Sequence, residues 1–283
     1  MKKSHLFATN ILNYFYECLI DLEETKGNVA SGIHVIVRPE GNSWKNITEK
    51  YLSHAKILEN YVTNINPDPR WIFYTAQSYR DASVYDKSIE WYKKRAEMTN
   101  GFYEEIYISK FMIARLSEGI GKTKDECTML YLDAHRCDPL RGEAVKSLVQ
   151  MHHRNNDWEN AYIFSLYGLR YNRNNPYPHR ILFLDSGLYD FEMLELHSLS
   201  CYYTRRFEEG SKAYWMMRQQ LQQMREGYLS EEQMKRVLDN EKYYPKPETF
   251  TKARTPQAPL PGSLKKAGSN FTPPKKKRKK RLS

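Results

Sequence analysis

The sequence predicts an all-α fold in which antiparallel pairs of helices stack into a solenoid. Apolar and aromatic residues recur at helical spacing through most of the chain, and Trp71, Tyr74 and Tyr79 fall on one such stripe. This spacing corresponds to one face of a helix. The next segment, 81–86, has room only for a tight turn before a second stripe begins at Ser88. Short turns of this kind make neighbouring helices antiparallel.

The helix pairs recur with a period close to that of tetratricopeptide repeats. The predicted pairs are 71–79 with 88–95, 104–116 with 124–136, 142–153 with 158–171, and 191–203 with 207–224. A small residue lies inside each second helix, where two helices must approach closely: Ala55, Ser88, Cys127, Ala161 and Gly210. These positions are 33, 39, 34 and 49 residues apart, against a tetratricopeptide period of about 34. We therefore predict a tetratricopeptide-like helix-pair solenoid.

The composition divides the chain into three segments. Residues 1–46 contain a predicted short strand at 29–37, where β-branched residues dominate between turn signals. Residues 47–240 hold the predicted helical repeats. Residues 241–283 are rich in Pro, Lys, Thr, Ser and Gly, with few large apolar side chains. Because such a segment buries too little surface to offset its ordering entropy, we predict a disordered tail.

The positive charge of the chain belongs to that tail. The formal net charge is +10, yet residues 1–244 carry 32 basic and 33 acidic side chains. The tail ends in seven consecutive cations: Lys275, Lys276, Lys277, Arg278, Lys279, Lys280 and Arg281. This run resembles a nuclear localisation signal that an import receptor reads. The alternative is an electrostatic tether for nucleic acid or another polyanion.

Composition also bears on the compartment and on bound groups. No window approaches the roughly 18 apolar residues of a membrane-spanning helix, and polar residues interrupt the first twenty positions, where a signal peptide needs an apolar run. We therefore predict a cytoplasmic protein, or a nuclear one in a host with a nucleus. We interpret the cysteines as small buried hydrophobes, and we find no histidine beside them at metal-ligand spacing. They are Cys18, Cys127, Cys137 and Cys201. The sequence predicts no metal site and no cofactor.

One stretch carries a more specific signal. Residues 68–96 read DPRWIFYTAQSYRDASVYDKSIEWYKKRA. This string resembles the helical-repeat region that lies C-terminal to the catalytic domain in many family 2 glycosyltransferases. The first residues that match its pattern are Arg70, Phe73, Tyr74, Ala76, Gln77, Ser78, Tyr79, Asp81 and Ala82. The resemblance covers roughly 47–215 and continues through Tyr103-Glu104-Glu105 and 138–144.

The resemblance implies a partner but carries over no catalytic residue. Residues 1–45 look similar to the closing segment of the family's catalytic domain, whose sheet would pair with the strand predicted at 29–37. Family 2 enzymes hold a divalent metal and the nucleotide-sugar with an Asp-x-Asp motif. No Asp-x-Asp occurs in this sequence. We therefore expect no catalysis by the chain alone, and a role in glycosyl transfer only beside a separate catalytic subunit.

Eight residues are candidates for lining a ligand-binding groove. The sequence contains 22 tyrosines, which either pack between helices or present hydroxyls to a ligand. The candidate groove residues are Tyr74, Gln77, Tyr79, Arg80, Asp81, Trp91, Tyr107 and Arg115.

Three other motifs resemble chemical sites, and for each we favour a structural interpretation. The segment 119–123 resembles the end of a phosphate-binding loop, but Leu116 stands where its first glycine is required, so we predict a turn. His152 and His153 are adjacent and point about 100° apart on a helix, so they cannot readily bind one metal ion together. We therefore predict a surface or turn role for them. Glu104-Glu105 and Glu208-Glu209 are predicted to be solvated first turns of helices.

Three functions remain open at this point. The first is a non-catalytic interaction module whose groove holds a protein, a peptide or a glycan. The second is part of a glycosyltransferase that acts with a separate catalytic subunit. The third is a nuclear or nucleic-acid-associated adaptor that acts through the basic tail.

The tail yields a quantitative prediction. Deleting 275–281 removes seven cations and takes the chain from +10 to +3, so binding to DNA or RNA at low salt should largely vanish while the helical far-ultraviolet signal is kept. Fluorescence anisotropy over a series of salt concentrations measures both affinity and salt slope. A truncated chain with unchanged affinity and slope would instead place a basic surface on the folded body.

Overall fold

The computed structural model describes residues 46–172, 182–224 and 227–246. Regular structure in these ranges is entirely helical, which confirms the all-α class. The α-helices are α1 Ile47–Asn64, α2 Pro69–Asp81, α3 Tyr85–Glu97, α4 Tyr103–Gly119, α5 Lys124–Cys137, α6 Glu143–Arg154, α7 Trp158–Gly168, α8 Met193–Tyr203, α9 Phe207–Gln222 and α10 Glu231–Asp239. A π-helix, Leu188–Glu192, precedes α8, and a 3₁₀-helix, Asn240–Tyr243, follows α10. The predicted strand at 29–37 and the cations at 275–281 lie outside the described residues.

The helices pack in sequence order, as the predicted pairs require. Each helix from α1 to α8 contacts the next one along the chain, and the first helices of neighbouring pairs also contact each other, α4 with α6 and α6 with α8. The predicted helix ends agree with the observed ones to within a few residues. One such difference is at α7, which was predicted to reach 171 but ends at Gly168. Its last turn is closed there by the Leu169 N–H, which donates to the Ser165 carbonyl at 3.1 Å.

Three of the turns inside the pairs share one backbone geometry. Ser83, Asn156 and Arg205 each adopt a left-handed conformation, with φ of 59°, 54° and 61°. Each lies five positions before the small residue of the second helix, so the turns keep the phase of the repeat. In each turn the following N–H bonds back to the carbonyl five residues earlier, as in the Val84 to Tyr79 bond of 2.9 Å. This bond closes the end of the first helix.

The small residues mark the closest helix contacts, as predicted. Ala55, Ser88, Cys127 and Ala161 are completely buried. The Ser88 hydroxyl donates to the Ala76 carbonyl of the facing helix at 2.8 Å, so its polar atom is satisfied at the close contact. A Cβ atom on Gly210 would lie 2.9 Å from the Cβ of Cys201, which leaves no room for a side chain.

A buried ion cluster joins α4 to the start of α6. Arg141 is completely buried, and its guanidinium lies 3.2 Å from Glu104 and 2.9 Å from Glu143. The same guanidinium donates to the Phe183 carbonyl at 3.3 Å, and the Leu182 N–H donates to Glu104 at 2.9 Å. The cluster therefore holds the segment 182–185 against both helices.

The prediction that Glu104-Glu105 are solvated is wrong. Both side chains are buried, because each forms an ion pair with a different buried arginine. Glu104 pairs with Arg141, whereas Glu105 pairs with Arg95 at 2.9 Å. Neighbouring residues on a helix point about 100° apart, so the two acids serve two different helix contacts. Glu208-Glu209, by contrast, remain partly exposed.

The packed body extends past the predicted boundary at residue 240. The Tyr244 ring is buried and stacks on Tyr214 with 4.6 Å between ring centroids. The Trp215 indole N–H donates to the Tyr244 carbonyl at 2.9 Å. The predicted start of the tail at 241 is therefore wrong for residues 241–244, because Tyr214 and Trp215 of α9 contact Tyr244.

The small-residue register can be tested on α7. Replacing Ala161 by Trp should lower the free energy of unfolding by on the order of 1–3 kcal/mol or more, because no space exists beside a completely buried alanine. Ile163→Trp on the same helix is the control, because Ile163 is 57% exposed. Urea unfolding measures both variants. Equal midpoints for the two would contradict the register.

The ion cluster yields a second stability prediction. Arg141→Met should cost about 3–5 kcal/mol, because two buried carboxylates then lose their cation. Arg236→Met is the matched control, since Arg236 pairs with Glu195 at 2.8 Å while 60% exposed, and should cost about 1 kcal/mol or less. Comparable losses in the two variants would show that burial does not set the strength of these pairs.

Candidate functional site

The described residues form a groove of about 1210 Å³. Its walls come chiefly from the first helices of the pairs, α4 and α6, together with the end of α2 and the segment 183–185. Polar and charged side chains that line it include Arg80, Arg115, Glu118, Lys146, Gln150 and Arg154. The first helices share one side of the stack, so successive pairs contribute to a single groove.

Three of the four groove cations are already paired with acids. Arg80 donates to Asp81 at 2.8 Å, and Lys146 lies 2.6 Å from Asp185 and also contacts Glu192. Arg154 pairs in the same way with Glu118.

Arg115 differs from these three cations. It is exposed, and its guanidinium lies 5.8 Å from the centre of the Phe111 ring. Among the described residues no carboxylate forms an ion pair with it. Its N–H donors therefore face the groove without an acidic partner.

Three of the predicted groove residues are buried between helices instead. Tyr79, Trp91 and Tyr107 are at most 5% exposed. The Tyr79 hydroxyl donates to Glu59 on α1, and the Tyr107 hydroxyl lies 3.3 Å from Glu143. Burial, followed by the Glu143 charge, raises the pKa of Tyr107 well above its usual value, so this hydroxyl stays protonated. The rings of these three residues pack between helices, so the prediction that they line the groove is wrong.

The other five candidates are divided between the groove and its surroundings. Arg80 and Arg115 lie in the wall of the groove. Tyr74, Gln77 and Asp81 are half-buried on α2, where Asp81 holds the Arg80 guanidinium. The sequence prediction missed Lys146, Gln150 and Arg154. These three are four residues apart on α6, so a polar stripe at helical spacing was the signal that could have identified them.

The other motifs have structural roles. The segment 119–123 is the turn between α4 and α5, as predicted, with Gly121 at a φ of 84° and the Thr123 hydroxyl accepting from the Glu126 N–H. His152 corrects the surface prediction, because it is only 3% exposed. Its Nδ1 lies 3.0 Å from Asp157, and its ring stacks on Phe164.

The cysteines also differ from the prediction. Cys127 and Cys201 are buried, whereas Cys137 is exposed; Cys18 lies outside the described residues. The prediction that no histidine lies at metal-ligand spacing beside a cysteine is wrong, because His197 precedes Cys201 by one helical turn. Packing of α8 on α9 adds Glu209 to this pair and brings the three potential ligands together.

No helix in the described ranges is long and apolar enough to cross a membrane. No protein-family model matches the sequence, and no curated protein matches it. Among solved structures, the chain is similar to a crystal structure of BtubC (BKLC) from P. vanneervenii, at 10% identity and a TM-score of 0.49. The match covers 80% of this chain and 98% of that one. The resemblance to the glycosyltransferase repeat region therefore stays a prediction, and the helical-repeat fold is taken from the packing described above.

Proposed function

We propose that this chain is a non-catalytic interaction module that holds an extended acidic segment of a partner protein in the groove. The observation that carries the proposal is Arg115, an exposed groove cation without an acidic partner in the described residues. Guanidinium groups recognise carboxylates through two parallel hydrogen bonds. A carboxylate of the partner would complete the pairing that the other groove cations make within the chain.

The shape of the groove favours an extended segment over a compact ligand. About 1210 Å³ are open along α4 and α6, which exceeds the usual range of small-molecule pockets. The walls also offer the half-buried ring of Phe111 and the amide of Gln150. These groups can receive an apolar side chain and a backbone amide of the same bound segment.

We further propose that the module works beside a glycosyltransferase catalytic subunit. The support is the sequence resemblance over roughly 47–215, together with the places its residues take in the fold. Glu104, Glu105 and Arg141 belong to the resembling stretches, and all three are buried in ion pairs between helices. These resembling residues stabilise the helical repeats. The resemblance therefore predicts that this chain and the glycosyltransferases have the same repeat module, and it does not predict the same reaction.

The binding proposal can be tested with a labelled acidic peptide. Because the tail would also attract such a peptide, each variant is made in a chain lacking 275–281. Arg115→Glu should weaken binding about ten- to a hundredfold, since one charged hydrogen-bond partner is lost and replaced by a repelling charge. Fluorescence anisotropy measures the affinities.

Arg136→Glu is the matched control, because Arg136 is also exposed but lies on α5, away from the groove. It should leave peptide affinity nearly unchanged. Equal losses in both variants would indicate a non-specific charge effect and contradict groove binding. Tight binding of a neutral oligosaccharide, insensitive to Arg115→Glu, would favour a glycan ligand instead.

A further inference from the structure

Three metal-ligating side chains converge between α8 and α9. His197 and Cys201 lie one turn apart on α8, and Glu209 lies in the first turn of α9. The His197 Nε2 atom is 3.1 Å from a Glu209 oxygen and 3.4 Å from the Cys201 sulfur. The potential ligand atoms all lie within 4.8 Å of one another. The imidazole and the thiol are buried, and the carboxylate is partly exposed.

The two distances from the His197 Nε2 atom are close to the edges of a tetrahedral metal site. Bonds of about 2.0 Å to nitrogen and oxygen and about 2.3 Å to sulfur place tetrahedral ligands about 3.3–3.6 Å apart. The nitrogen–sulfur distance of 3.4 Å is within that range, and the nitrogen–oxygen distance of 3.1 Å is slightly shorter. Small side-chain shifts would therefore admit an ion.

The opposite side of the imidazole has the second contact that a metal-bound histidine requires. The His197 Nδ1 atom lies 2.9 Å from the Ser165 hydroxyl, which donates its proton to the Tyr162 carbonyl at 3.0 Å. A serine hydroxyl has one proton, so its oxygen accepts from Nδ1–H in this arrangement. The lone pair then belongs to Nε2, the atom that faces Cys201 and Glu209.

The carboxylate of the cluster is held in position as well. The Tyr162 hydroxyl donates to the Glu209 oxygens at 3.1 and 3.3 Å. An Nε2 lone pair and a carboxylate oxygen are both acceptors, so a cation or a proton must lie between them. Outer hydrogen bonds of this type orient the ligands of metal sites.

A cavity provides space for a further ligand. It measures about 270 Å³, and His197 and Glu209 form part of its lining. Most of its other walls are apolar or aromatic, including Tyr189, Phe191 and Met193. A three-ligand site beside such a cavity keeps one coordination position open to water or a small molecule.

We propose that His197, Cys201 and Glu209 form a binding site for a divalent transition-metal ion of the zinc class. Imidazole and thiolate ligands favour such ions over Mg²⁺ and Ca²⁺, which prefer oxygen. The site is independent of the groove and of the proposed partner, because its residues belong to α8 and α9.

The test uses Co²⁺ as a spectroscopic probe of the reduced full-length chain. Co²⁺ bound here should produce a thiolate charge-transfer band in the near ultraviolet and intense visible bands typical of tetrahedral coordination. Competition with Zn²⁺ should abolish them, and excess Mg²⁺ should not. Cys201→Ala should lose the charge-transfer band. Cys127→Ala, which removes another completely buried thiol, should keep it.

Two further variants keep the proposal falsifiable if Cys201→Ala fails to fold. Glu209→Gln changes a partly exposed side chain and should weaken Co²⁺ binding at least tenfold. Ser165→Ala should weaken it about 10- to 100-fold through the outer contact, whereas Ser109→Ala, at a buried serine without a hydrogen-bond partner, should not. Absence of the charge-transfer band, or equal Co²⁺ affinity in the Cys201 and Cys127 variants, would overturn the proposal and leave a proton between His197 and Glu209.

Discussion

The buried guanidinium of Arg141 imposes the constraint on which the centre of the structure depends. A charge removed from water costs several kcal/mol unless opposite charges and hydrogen bonds compensate it. Here the compensation comes from Glu104 on α4, Glu143 on α6 and the Phe183 carbonyl. These partners belong to three separate parts of the chain, and they satisfy the guanidinium only when all three are in place. The spacing of α4, α6 and 182–185, and with it the width of the groove, follows from that requirement.

The adjacent glutamates Glu104 and Glu105 extend the same constraint to the preceding pair. Glu105 receives the Arg95 guanidinium at 2.9 Å, and Arg95 also donates to the Phe102 carbonyl at 2.8 Å. One turn of α4 therefore connects α3 on one side with the start of α6 on the other. A simple stack of apolar faces would permit neighbouring pairs to rotate against each other, whereas buried ion pairs permit only the geometry that satisfies every donor.

The sequence predicted the parts of this fold that depend on local spacing. Helical periodicity identified the pairs, and the small residues from Ala55 to Gly210 identified the close contacts, because both patterns are properties of single helices. The burial of Glu104 and His152 could not be predicted in that way, since acids and histidines are usually exposed and their partners are fixed only by packing. The cluster at His197 lies between these cases. The spacing between His197 and Cys201 lies within one helix and could be recognised in the sequence. Glu209 comes close to them only through the packing of α8 on α9.

Four of the buried or half-buried acids with long-range partners share a position in their helices. Glu104, Glu105, Glu143 and Glu209 all lie in first turns. A helix N-terminus carries a partial positive charge that favours an ionised carboxylate, so a charged acid is removed from water at lower cost there than elsewhere in a helix. Such an acid can remain negative inside the solenoid and bind a cation. In the centre of the chain that cation is Arg95 of α3 or Arg141, which lies just before α6, and between α8 and α9 the same electrostatic position supports the proposed metal ion.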